Sequence, residues 1–147
     1  MKLVIQRVSQ ASVSVNEKVV GAIGRGLLVF LCVEKGDTSE LTEHYASKIS
    51  ELRIFGDEEG KMNRSIIDVA GDVLLISQFT LAADAEKGRR PSFDAAAPAD
   101  QATKLYEEFA THLRNKNLQV ATGIFGAYMA VSLINDGPVT ILLGKKS

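Results

Sequence analysis

Apolar and polar residues alternate from the start of the chain. Leu3, Ile5 and Arg7 fall on one side and Val4, Gln6 and Val8 on the other, and after Ala11 the pattern resumes with Val13 and Val15. A period of two residues predicts one long strand. Asn16-Glu17-Lys18 reads as a hairpin turn that returns through Val19–Ile23, and Gly24-Arg25-Gly26 turns again into the apolar run Leu27–Val33. The period then changes. Leu41, Tyr45, Ile49 and Leu52 recur at helical spacing and predict a helix with that buried stripe, capped by Asp37 with Glu40 three residues on. Gly56–Gly60 is a turn, and Val73–Ile76 is a second apolar strand ending at Ser77-Gln78-Phe79-Thr80. A loop without periodicity fills 82–97. A second helix is expected from Pro98-Ala99, burying Ala102, Leu105, Tyr106, Phe109 and Leu113. Leu118–Ala121, Ala127–Ile134 and Val139–Leu143 read as strands, the last two separated by Asn135-Asp136-Gly137-Pro138. Together these predict an α+β fold: a mostly antiparallel, barrel-like sheet with two main helices, in a single domain over residues 1–147.

Composition narrows the picture. At 147 residues with 46% hydrophobic and 24% charged residues, the chain has the make-up of a globular domain able to fold without metals or disulfides. Its one cysteine, Cys32, sits among Val29, Phe30, Leu31 and Val33 and reads as a buried small hydrophobe. The start of the chain lacks the long apolar core of a signal peptide, and no apolar run is long enough for a bilayer, so a cytoplasmic, membrane-free protein is expected. A net charge of -1 supplies no basic face for long nucleic acid. Local patches remain, at Lys87, Arg89 and Arg90 and at Lys145 and Lys146, which suit the small end of an RNA or are plain solvated charge.

The common catalytic sets are missing. His44 and His112 each fall within a predicted helix, so a serine–histidine–aspartate triad is not expected, and cysteine and histidine have no zinc spacing. The glycines of 21–26 lack the phosphate-binding patterns. No metal or cofactor is expected. Two segments look chemical. At Ser77–Thr80 a buried strand ends in hydroxyls and an amide, either an ordinary strand terminus or a site where backbone N–H groups receive an oxyanion. At Gly137-Pro138 the proline lacks an N–H and the preceding bond is of the only kind that turns cis cheaply. That segment is either a simple hairpin turn or a kink projecting carbonyl oxygens into a pocket.

These two segments belong to a set. Gln6-Arg7-Val8, Ala11–Val15, Ser77–Leu81, Lys87–Phe93, Gly123–Ala127 and Asn135–Thr140 occur in an order that resembles the bacterial-type D-aminoacyl-tRNA deacylases over essentially the whole length. The resemblance implies a hydrolase that releases D-amino acids from tRNA, and glycine mischarged on tRNA-Ala, as a proofreading step. It implies a homodimer with active sites near the interface, acting on the aminoacyl-tRNA 3′ end. It implies that Ser77, Gln78, Phe79 and Thr80 line the site, that Gly137-Pro138 is cis and acts as a chirality filter, and that Arg7 braces that turn. Met129, Phe125 and the Ala95-Ala96-Ala97 region are placed near the substrate.

An aminoacyl ester is already labile, so orientation and oxyanion stabilisation can suffice. Either Thr80 attacks the carbonyl, or the RNA 2′-hydroxyl helps to activate water while backbone near Phe79 holds the oxyanion. The second is favoured because no base stands ready for the threonine. Three rivals remain: a related editing class with a trans Gly-Pro that acts on certain L-aminoacyl-tRNAs, a non-catalytic RNA- or metabolite-binding module, and a purely structural dimer that binds no charged tRNA.

Overall fold

A computed structural model describes residues 1–144. The pair Lys145 and Lys146 lies outside the described residues.

The first strand sets the frame. β1 (Lys2–Val15) turns through Asn16 and Glu17, both at positive φ, into β2 (Lys18–Ile23), and β3 (Gly26–Cys32) follows. A two-residue turn of this hand matches the twist of the strands that it joins. β1 pairs antiparallel with β2 over its second half and with β3 over its first. Helix α1 (Ser39–Glu51) leads into a small hairpin, β4 (Phe55–Gly56) and β5 (Met62–Arg64). β6 (Asp72–Ser77) and β7 (Val120–Thr122) extend the sheet, with α2 (Ala99–Arg114) between them. β3–β6 and β6–β7 are parallel, so the sheet is mixed, with the antiparallel pairs in the majority.

Because β3 and β6 are covered on both faces, their apolar runs are continuous rather than alternating. Leu27, Val29, Leu31, Val73 and Leu75 meet the two helices, where Ile49, Phe109 and Leu113 are fully buried. Leu28, Leu74 and Ile76 face the other way, against Val8, Ala11, Val13 and Ile23. This second core exists because the sheet curls until β2 lies against β6 and β7. Gly21 permits the approach: a Cβ there would stand 2.7 Å from the carbonyl oxygen of Thr122. The outcome is the expected barrel-like sheet with two helices.

Three local expectations are corrected. The residue before α1 is Thr38, not Asp37, and it makes no side-chain cap. The Asp37 carboxylate is engaged elsewhere, accepting from the Met1 ammonium at 2.7 Å and from the Glu34 N–H at 2.7 Å. The buried stripe of α1 is also rotated: Thr42, Ala46, Ile49 and Ser50 are innermost, while Leu41, Tyr45 and Leu52 pack at the edge of the core. The hydroxyls of Thr42 and Ser50 donate to carbonyls of their own helix, which lets small polar residues face inward.

The third correction is the largest. Asn135–Pro138 does not separate two strands. β8 (Ala130–Gly144) is one element that runs antiparallel to β1 along almost its full length. Gln6 pairs with Thr140 and Val8 with Asn135, so Asp136–Val139 bulge out opposite Arg7. Turn-rich composition here produces a bulge because both flanks keep the same neighbour. No residue of β8 is fully buried, and its second edge has no strand partner among the described residues.

Candidate active site

Where β6 ends, the chain opens a cavity of about 420 Å³. Ser77, Gln78 and Phe79 form one wall; Phe125 and Met129, from the segment before β8, form the opposite side. Ala96, Ala97, Ala99 and Ala102 line it from the second helix and the residues before it, and their small side chains leave the space. The lining is chiefly apolar, so polar groups at its edge act where water competes poorly.

The end of β6 is held from below. The Gln78 N–H donates to the carbonyl of Leu31 at 2.8 Å, and the chain then enters a short 3-10 turn at Phe79–Ala82. Leu81 and Ala83 donate to Gln78 and Thr80. The N–H groups of Phe79 and Thr80 have no acceptor among the described residues. Two consecutive free backbone donors, one on the lining residue Phe79 and one on the adjoining Thr80, are the kind of group that a developing oxyanion needs. The Gln78 side-chain amide donates to the Thr80 hydroxyl oxygen. Thr80 itself is exposed and does not line the cavity.

Below Phe79 lies the one thiol. Cys32 is buried and donates to the Phe79 carbonyl at 3.5 Å. Burial, and next the nearby Glu34 carboxylate, push its pKa up, so it is a poor nucleophile at neutral pH. Neither histidine lines the cavity.

Sequence reasoning placed Tyr106 in the core and overlooked its second role. Its ring lines the cavity and meets Phe125 edge-on at 5.7 Å. Its hydroxyl donates to the carbonyl of Leu75 at 2.7 Å, and burial pushes its pKa up to about 12. A hydroxyl on an otherwise apolar helix face was the available signal, since a buried phenol needs a partner. Tyr128, 96% exposed at the rim, carried no signal at all.

Gly137 and Pro138 do not line this cavity. Arg7 is level with Leu27 on β3, whereas Ser77 is level with Leu31. The bulge is thus three strands across and four residues along from Ser77, roughly 15–20 Å on ordinary sheet spacings. Arg7 grips it: Nε donates to the Asp136 carbonyl at 2.9 Å, and Nη1 donates to the Ile54 carbonyl at 2.6 Å. The Asp136 carboxylate adds an ion pair at 3.4 Å. The Gly137–Pro138 bond is cis. Gly137 has φ of +136°, and a Cβ there would stand 2.9 Å from the Val139 nitrogen, so only glycine fits without strain. Of the expected residues, then, Ser77, Gln78, Phe79, Phe125 and Met129 gather at one cavity, with Thr80 adjoining. Arg7, Gly137 and Pro138 gather at another place in the same chain. Ala96 and Ala97 line the cavity, and Ala95 faces a neighbouring depression beside Met1 and Asp37.

Comparison with known proteins shows the family and the fold. The family described as D-Tyr-tRNA(Tyr) deacylase matches residues 4–144. The D-aminoacyl-tRNA deacylase of Thermotoga petrophila is 59% identical over 143 residues, covering 97% of this chain and 96% of its own. That of Geobacter sulfurreducens is 56% identical over 147 residues, covering 100% and 97%. A solved structure titled c-Myc DNA Unwinding Element Binding Protein superposes with a TM-score of 0.92 at 44% identity, covering all of both chains. Another, titled as a probable eukaryotic D-amino acid tRNA deacylase, shares the fold with a TM-score of 0.84 at 21% identity, covering 97% of each.

Proposed function

The chain belongs to the D-Tyr-tRNA(Tyr) deacylase family and is a D-aminoacyl-tRNA deacylase, and from that premise we propose that its cavity takes the terminal aminoacyl-adenosine and that chirality is judged by backbone alone. The carrying observation is the pair of N–H groups without an acceptor among the described residues, at Phe79, which lines an apolar cavity without a base, and at the adjoining Thr80. Water adds to the ester carbonyl, and the oxyanion is received by those two donors. The tetrahedral species then collapses, expelling the ribose oxygen, which takes a proton, and freeing the amino acid. The adjacent 2′-hydroxyl of the RNA relays the proton from the attacking water. A nucleophilic Thr80 is disfavoured, since the one side chain that hydrogen-bonds its hydroxyl among the described residues is the Gln78 amide, which donates and cannot take its proton.

The filter is the bulge at Gly137-Pro138. Its carbonyls accept from the substrate ammonium. With ammonium and ester both fixed, an L side chain runs into the protruding backbone and a D side chain points outward. Glycine, including glycine mischarged on tRNA-Ala, passes because it has nothing to reject. Rejection by clash needs no contact with the correct side chain, so many D-amino acids are accepted.

The bulge is remote from the cavity of its own chain, so a second copy must supply it. Three features support a homodimer with sites near its interface. β8 has a free edge, none of its residues is fully buried, and Ile134 and Leu142 stand 53% and 72% exposed on it. Long open edges carrying apolar side chains are normally covered. Arg7 then acts as a positioning residue that aims the bulge. We place the protein in the cytoplasm, where its substrate is made; no helix among the described residues is long and apolar enough to cross a membrane.

Purified protein should release D-tyrosine from D-tyrosyl-tRNA at least about a thousandfold faster than L-tyrosine from L-tyrosyl-tRNA, the scale of some 4 kcal/mol of clash. Comparable rates would remove the filter. Binding of charged tRNA without turnover would replace the hydrolase by a binding module.

A further inference from the structure

One cationic loop stands beside the cavity with no part in the chemistry above. Asp84 and Ser92 exchange both backbone hydrogen bonds, at 2.8 and 2.9 Å, and so close a hairpin-like loop. Its tip carries Lys87, Arg89 and Arg90, all exposed. Among the described residues none of the three is in an ion pair. Three cations within four positions are a strong local concentration in a chain of net charge -1. The loop is acidic only at its limbs: Asp84 is turned onto the Glu86 N–H, and Glu86 precedes the tip.

Phe93 follows the closing pair directly. Its ring meets Phe79 edge-on at 5.2 Å, with 69° between the planes. Both rings are open to solvent, Phe79 at 59% and Phe93 at 36%. Core packing therefore does not account for them. Phe79 is at the same time part of the cavity wall. From the cavity wall, Phe79 touches Phe93, and Phe93 adjoins Ser92, which closes the loop that carries the three cations. Alternating aromatic surface and positive charge is how proteins hold single-stranded nucleic acid without reading its sequence.

We propose that Phe93, with Lys87, Arg89 and Arg90, forms a platform for the unpaired nucleotides that precede the terminal adenosine of the tRNA. One base stacks on Phe93, and the cations meet the phosphates that follow. This assignment rests on the reading that the cavity takes the aminoacyl-adenosine, and it adds the element that recognises the RNA beyond it.

The test compares two substrates, a D-aminoacyl-tRNA and the same D-amino acid esterified to adenosine alone. For Phe93→Ala and for the double variant Arg89→Ala/Arg90→Ala, KM on the tRNA should rise by roughly tenfold each, the scale of removing one base stack or the cations that hold two phosphates. The kcat should stay within about twofold, and the adenosine ester should show little of the KM effect, since it lacks the nucleotides concerned. The double variant should also flatten the plot of log(kcat/KM) against log salt by about 0.7 for each phosphate it no longer neutralises. Phe93→Tyr should restore KM, and Phe93→Leu should not. Equal losses on both substrates, or no loss on the tRNA, would overturn the platform. Fluorescence anisotropy with an uncharged oligonucleotide ending in CCA separates this proposal from the hydrolytic reading. Loop variants that bind it as tightly as the wild type overturn the platform even if hydrolysis is intact. Weakened binding upholds the platform even if the wild type proves unable to hydrolyse.

Discussion

One strand end and one strand bulge carry the proposed chemistry, and they are built on opposite terms. Ser77–Thr80 closes a strand buried on both faces, is anchored by the Leu31 carbonyl, and opens a cavity inside its own chain. Asp136–Val139 interrupts a strand with no fully buried residue; Arg7 grips it through the Asp136 carbonyl, and only Val139 packs against the core. The first gains its geometry from the core. The second has little core to draw on and relies on one guanidinium shared between two carbonyls. The proposed site would need both a rigid pocket and a separately braced probe, and one chain holds the two apart.

The harshest test of this contrast is to keep the chains apart. Leu142→Asp and Ile134→Asp alter side chains exposed in the single chain, so folding stability should change by only about 0.5 kcal/mol. Sedimentation should show monomers, and D-aminoacyl-tRNA hydrolysis should fall by about a hundredfold or more, as expected when a reacting group is misplaced. A fully active monomer would break the comparison. Next comes the brace. Arg7→Ala should lower activity by roughly ten- to a hundredfold, while denaturant unfolding shows a loss of about 1–3 kcal/mol, chiefly from the buried Ile54 carbonyl, since that of exposed Asp136 can turn to water. Arg7→Lys should recover part of the fold stability but little of the activity, because a point charge cannot span both acceptors.

Smaller effects sharpen the other half. Thr80→Ala is expected to cost less than about tenfold in kcat, against several orders of magnitude for a lost nucleophile. Single-turnover assays decide it. Tyr106→Phe removes the bond to the Leu75 carbonyl and should cost about 1 kcal/mol in chemical denaturation. It also carries a pH signature. The folded pKa of Tyr106, about 12, lies above its ordinary value of 10.0, so the contribution is whole below pH 10.0 and is lost as pH rises through about 12. The variant should lack that alkaline decline.

Much of the fold was legible because its signals are local. Alternation marked β1, continuous apolar runs marked β3 and β6, and the spacing of Ala102, Leu105, Tyr106, Phe109 and Leu113 gave the buried face of α2. What was missed depends on partners distant in sequence. Asp37 has the composition of a cap, but the Met1 ammonium claims it from 36 positions away. Asn135–Pro138 has the composition of a hairpin, but a hairpin needs its flanks to pair with each other, and here both pair with β1. The parallel pairings of β6 could not be read from any short window, since periodicity does not encode direction. At the site, the family resemblance singled out Ser77–Thr80, Phe125 and Met129, and all but the adjoining Thr80 line the cavity. It gave no sign that Gly137-Pro138 would stand apart from them, because order along a chain does not fix distance across a sheet.

The single sulfhydryl has a practical corollary. Cys32 is sealed beneath the Phe79 carbonyl with its pKa raised by burial, so thiolate is scarce and reagents have no path to it. Alkylating agents and mild peroxide should leave the native enzyme untouched, which frees the chain for site-directed labelling at any new surface cysteine without first removing its own.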